Sequence, residues 1–155
     1  MKKNDLILFI QNYLSKLVSY DDDDNFFYFF SYVERYFSLE KNHAIQITID
    51  IYYRLVSLDL IELHIKGESI KKNIVDLIHH ADEMESFGGW FWYFSATEKA
   101  YNLIDKFNLY DNYYDEKIIC KEFYLEFMTL LEENGLGIDI YPLVDIGNGG
   151  RVSLN

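Results

Sequence analysis

Cysteine occurs once in the 155 residues, at Cys120, and proline once, at Pro142. One cysteine cannot close an internal disulfide, so a stapled secreted scaffold is excluded and a reducing cytoplasm fits best. A lone thiol on a helix face reads as packing. The scarcity of proline leaves room for long helices. Basic side chains are also few: 14 Lys and Arg stand against 26 Asp and Glu, a net charge of −12. Phosphate binding needs clustered Lys and Arg, which argues against nucleic acid as a ligand and against an anionic membrane surface. Nowhere do about 18 apolar residues run uninterrupted, so no transmembrane helix is expected. The start, Met1-Lys2-Lys3, opens like a signal peptide. However, the stretch Leu6 to Ile10 is too short, Gln11, Asn12 and Lys16 interrupt it, and no small-residue cleavage site follows.

What is present is apolar and aromatic. Half the residues are hydrophobic and 18% are aromatic, which excludes disorder. The length predicts one domain over residues 1–155. No internal repeat and no Ser- or Pro-rich linker divides it.

Leu6, Phe9, Ile10, Tyr13, Leu14 and Leu17 recur at helical spacing, so 5–19 reads as an amphipathic helix. Asp21 to Asp24 follow, with Asp24 as the expected N-cap of a second helix carrying Phe26, Phe30, Val33 and Phe37 on one face. Residues 42–58 fit two patterns. Ile45, Ile47, Ile49 and Ile51 alternate as in a strand, while Ala44, Ile47, Ile51, Leu55 and Leu58 make a helical stripe. The pattern runs on through Tyr52-Tyr53-Arg54 without a turn signal, which favours helix. Leu60 to Lys66 alternates as a short strand ended by Gly67.

Ile70, Ile74, Leu77, Ile78, Ala81 and Met84 mark a further helix, ending near Gly88-Gly89, and Trp90 to Phe94 an aromatic strand. Ser95-Ala96-Thr97-Glu98 has the form of a capping box for a helix using Ala100, Leu103, Ile104 and Phe107. Residues 108–114 read as a polar, tyrosine-rich loop. Asp115 is expected to start a helix that buries Ile119, Cys120, Phe123, Tyr124, Phe127, Leu130 and Leu131, with Asn134-Gly135 as its C-cap. Ile138 to Val144 is a candidate strand, and the Gly147-Asn148-Gly149-Gly150 tail is expected to be loose. The expected product is an α+β, predominantly α-helical single domain with a small β-sheet.

The passage Tyr52 to Leu63 looks like the end of a recognition helix running into a strand. Phe91 to Leu103 resembles the strand-to-helix step of winged-helix regulators, so the resemblance implies a winged-helix-like fold. The chain departs from DNA-reading members, since the candidate helix offers only Gln46, Asp50 and Arg54 for base contacts, and residues 68–88 insert a helix where a wing should be. A winged helix of this kind is expected to bind protein.

Chemical motifs are sparse. Asp76 with His80, and His79 with Glu83, are i,i+4 pairs that could ligate zinc, but adjacent histidines point about 100° apart on a helix and no third ligand is suggested. The carboxylate pairs Asp82-Glu83, Asp115-Glu116 and Glu132-Glu133 sit in no context that marks one as a general acid or base. No nucleophile elbow occurs, and Gly147, Gly149 and Gly150 do not open a helix after a strand. No enzyme activity, cofactor or metal is therefore expected.

Charge and tyrosine are unevenly placed. Residues 1–80 hold 9 basic and 12 acidic side chains, net −3, whereas residues 81–155 hold 5 and 14, net −9. Tyr110, Tyr113 and Tyr114 lie beside Asp111, Asp115 and Glu116. Tyrosine offers rigid contact area at low entropic cost, and a negative patch speeds encounter with a basic partner.

In size, acidity, lone cysteine and lack of catalytic signature the chain resembles bacterial immunity proteins, including those paired with contact-dependent growth inhibition toxins. The resemblance implies a cytoplasmic protein that neutralises a basic toxin, such as an RNase or DNase, in a one-to-one complex. The candidate contacts are Asp21, Asp22, Asp23, Asp24, Asp82, Glu83, Glu85, Asp111, Tyr113, Tyr114, Asp115 and Glu116. The alternative is a degenerate winged-helix transcriptional adaptor acting through protein contacts.

Overall fold

A computed structural model describes residues 2–20, 24–64, 93–110, 118–140, 142–145 and 153–154. Its elements, in chain order, are α1 (Lys3–Tyr20), β1 (Asp24–Asn25), α2 (Phe26–Phe37), α3 (Lys41–Ser57), β2 (Ile61–His64), β3 (Tyr93–Ala96), α4 (Glu98–Lys106), α5 (Lys121–Glu133), β4 (Val144–Asp145) and β5 (Ser153–Leu154). The fold is mostly helical with small antiparallel sheets. The larger sheet has the order β1-β3-β2, and β4 pairs with β5. The helix expected at 70–84 and the segment Trp90 to Trp92 lie outside the described residues.

α1 is the hub. Eleven of its eighteen residues are buried, including Gln11, Asn12 and Ser15. It is therefore more than the one-sided amphipathic helix its spacing suggests. α2 also differs from expectation: Phe29 and Val33 are fully buried, whereas Phe30 and Phe37 are half-buried. Asp24 does not cap this helix. It lies in β1, opposite Phe94, and Asn25 precedes the helix.

Four elements each contribute a ring to one aromatic column. Tyr13 of α1 meets Phe29 of α2 edge-on at 4.3 Å, Phe29 stacks on Tyr52 of α3 at 4.4 Å, and Tyr52 stacks on Phe94 of β3 at 3.8 Å. Such pairs add about 0.5–1.5 kcal/mol each beyond their buried area. The column joins α1, α2, α3 and β3 through one ring from each.

The helical reading of 42–58 holds. Ala44, Ile47, Ile51, Leu55 and Leu58 are all buried, and the helix presents Ile49 and Tyr52 to the core as well. The 52–63 and 91–103 passages are neighbours, because β2 and β3 pair with Ile61 opposite Ala96 and His64 opposite Tyr93. This pairing also moves the next helix start. Ser95 and Ala96 belong to β3, so the N-cap of α4 is Thr97, whose hydroxyl accepts from the Ala100 N–H at 3.3 Å and donates to the Asp59 carbonyl at 2.6 Å.

Helices α2 to α5 stop by one device. After each, a residue in the left-handed region (Ser38, Asp59, Asn108, Gly135) is followed by a leucine (Leu39, Leu60, Leu109, Leu136). The leucine N–H bonds back to Glu34, Leu55, Ile104 and Leu131 respectively, at 2.8–3.1 Å. This is the Schellman pattern, with its apolar residue tucked against the helix end. Leu60, Leu109 and Leu136 are buried.

Candidate functional site

Two constellations are built from residues far apart in the chain. The first joins α1 to the residues on either side of the acidic, tyrosine-rich stretch 111–117, which itself lies outside the described residues. Gln11 and Ser15 lie one turn apart on α1, both buried. Ser15 Oγ donates to the Leu109 carbonyl, and Gln11 Oε1 accepts from the Cys120 N–H at 2.8 Å. The two bonds tie both ends of the segment 109–120 to the central helix. They also place the start of α5: Cys120 takes an extended conformation as the N-cap, so the helix opens at Lys121 and not at Asp115. Ile119 and Cys120, expected on the helix's buried side, are half-buried residues ahead of it.

The described surface that follows is mixed in character. Ile118 is 74% exposed, and the outward positions of α5 are Lys121, Glu122, Leu125, Thr129, Glu132 and Glu133. Glu126 is paired with Lys106 of α4. Loops held on rigid elements are the usual seat of binding function.

Of the expected contact residues, Asp21, Asp22, Asp23, Asp82, Glu83, Glu85, Asp111, Tyr113, Tyr114, Asp115 and Glu116 lie outside the described residues, as do His79 and His80. Asp24 is described and is buried, with only 8% exposure. Its carboxylate lies near the hydroxyls of Tyr13 and Tyr52. Burial raises both tyrosine pKa values well above the usual range. Asp24 is the next cause for Tyr13, and for Tyr52 it follows the Tyr13 hydroxyl. Among the described residues no group of three His, Cys, Asp or Glu side chains is placed to hold a metal ion. No described helix is long and apolar enough to cross a membrane.

The second constellation overturns an expectation. Asp50 and Arg54, read from sequence as exposed positions of a recognition helix, are 2% and 1% exposed. They form an ion pair one turn apart on α3. The guanidinium also donates to the carbonyls of Leu136 at 3.0 Å, Gly137 at 3.2 Å, Ile140 at 2.7 Å and Asp50 itself at 3.1 Å. Asp50 Oδ1 accepts from the Leu143 N–H at 2.7 Å. All five N–H groups of Arg54 thus have an acceptor inside the protein, and the pair straps residues 136–143 onto α3. Sequence reasoning missed it because its partners lie 82 to 93 positions away.

Above this pair opens a cleft of about 470 Å³. Leu6, Leu39, Ile47, Ile51 and Ile138 line it with the pair itself, and Lys2, Lys3, His43 and Asp139 complete the lining. Comparison with protein-family models, with curated proteins and with solved structures gave no match.

Proposed function

We propose that the chain is an immunity protein that binds a basic protein toxin, of the nuclease class, one-to-one in the cytoplasm. The observation that carries this reading is the anchoring of the 109–120 segment at both ends by Ser15 and Gln11. It gives both flanks of the acidic, tyrosine-bearing stretch a fixed attachment to the buried face of α1. The exposed Glu122, Glu132 and Glu133 of α5 extend the same sign of charge. A nuclease site is cationic because it must hold phosphate, so an acidic loop of rigid aromatics complements it in charge and reaches it quickly.

The contacting set on this reading is Asp111, Tyr113, Tyr114, Asp115 and Glu116, with Asp21, Asp22, Asp23, Asp82, Glu83 and Glu85. Asp24 is left out because it is buried in β1. The test is to look for a basic secreted domain encoded in a gene next to this one and to co-express the two. Support is a one-to-one complex and loss of the domain's nuclease activity. An active nuclease alongside the folded chain contradicts the reading.

The alternative, a degenerate winged-helix adaptor, is favoured by one observation: the helix-strand and strand-helix passages meet in the β1-β3-β2 sheet. With Asp50 and Arg54 buried, α3 lacks the polar reading face that base contacts require, so this reading too is one of protein contacts.

A further inference from the structure

The cleft over the Asp50–Arg54 pair combines three features not used by the toxin-binding reading. Its wall is apolar, formed by Leu6 of α1, Leu39, Ile47 and Ile51 at and within α3, and Ile138 of the strapped segment. Its volume of about 470 Å³ lies within the usual range for small-molecule sites, about 300–1,000 Å³. Its rim gathers Lys2, Lys3 and His43 in a protein of net charge −12, against one exposed carboxylate, Asp139. Arg54, although it reaches the cleft floor, has each of its donors committed to the protein and is not free to hold a ligand. Lys3 faces Asp139 at 3.5 Å, whereas Lys2 makes no ion pair among the described residues. The free positive charge therefore sits at the mouth, and the interior is hydrocarbon.

We infer that this cleft binds a small amphiphilic carboxylate, with its alkyl or aryl body against Leu39, Ile47, Ile51 and Ile138 and its head group at Lys2. The charge selects an anion, the lining selects an apolar body, and the committed guanidinium places the head at the rim and not at the floor. The cleft lining shares no residue with the Ser15–Leu109 and Gln11–Cys120 contacts, and the inference stands whether or not a toxin binds the chain.

The test is a methyl NMR titration of the full chain with hexanoate, octanoate and decanoate, and with decanol as the uncharged counterpart. The expected result is that shifts concentrate on Leu6, Leu39, Ile47, Ile51 and Ile138. Affinity then rises about fourfold per methylene, the increment for burying a CH₂ group. Lys2→Glu, an exposed substitution that leaves the fold intact, should weaken decanoate about fivefold and leave decanol unchanged. Equal binding of decanoate and decanol with no effect of Lys2→Glu overturns the inference. So does the absence of shifts at those methyl groups at millimolar decanoate.

Discussion

Gln11 and Ser15, one turn apart on α1, hold opposite ends of a single segment: Ser15 bonds to the Leu109 carbonyl, and Gln11 to the Cys120 N–H. Removing Ser15 leaves the buried Leu109 carbonyl without this donor, at about 1–3 kcal/mol, and removing Gln11 frees the part-buried Cys120 N–H at a smaller cost. Gln11→Ala should speed amide exchange at Cys120 and in the loop before it, while α3 amides stay protected. Uniform acceleration across the protein would show that the anchor is not local.

Arg54 is the fork that ties the 136–143 segment to α3. Arg54→Leu leaves the buried Asp50 carboxyl without its partner, so a loss of about 3–5 kcal/mol in urea unfolding is expected. Arg54→Lys should not restore it, because an ammonium has three donors and lacks the planar fork. Full recovery with lysine would mean that charge alone holds the segment.

Alkaline pH should unfold the protein through Tyr13 and Tyr52. Both have pKa values raised in the folded state, so the folded protein keeps protons that the unfolded chain releases near pH 10. Their stabilising effect is complete below pH 10 and falls above it, by about 1.4 kcal/mol per pH unit for each tyrosine. Denaturant midpoints measured between pH 9 and 11 should show this slope, and Tyr13→Phe with Tyr52→Phe should flatten it. An unchanged slope in the double variant would place the alkaline sensitivity elsewhere.

The left-handed helix ends differ in cost. Ser38 and Asp59 adopt positive φ with a Cβ, so Ser38→Gly should raise stability by about 0.5–1 kcal/mol. Gly135→Ala should lower it by about 1 kcal/mol, and for backbone reasons alone, since nothing lies within 4 Å of the added Cβ. Thermal unfolding of the two variants measures both, and shifts of the same sign would contradict the assignment.

Local and periodic features were legible in the sequence, and long-range polar partners were not. The stripe Ala44, Ile47, Ile51, Leu55, Leu58 decided helix over strand in α3, because all five face the core. Asn134-Gly135 marked the end of α5 correctly. The capping box at Ser95 misled because strand pairing with Glu62 claims that residue before the helix can. The start of α5 depends on Gln11, 109 residues away, and the burial of Arg54 on carbonyls more than 80 residues away. A polar side chain read alone looks exposed, and only its distant acceptors show why it is buried. The polar–leucine pairs Ser38-Leu39, Asp59-Leu60 and Asn108-Leu109 are a stop signal that a composition reading passes over.

We propose that the acidic stretch between Leu109 and Cys120 meets a basic toxin. The measurement is the association rate of the chain with the basic domain that co-purifies with it, across a salt series, and the absence of any such partner equally contradicts the proposal. The series compares the native sequence with the Asp111→Lys, Asp115→Lys, Glu116→Lys variant. The rate should fall steeply with salt for the native chain, and should be at least tenfold slower with a shallower salt dependence for the variant. An unchanged rate and salt dependence in the folded variant would contradict it.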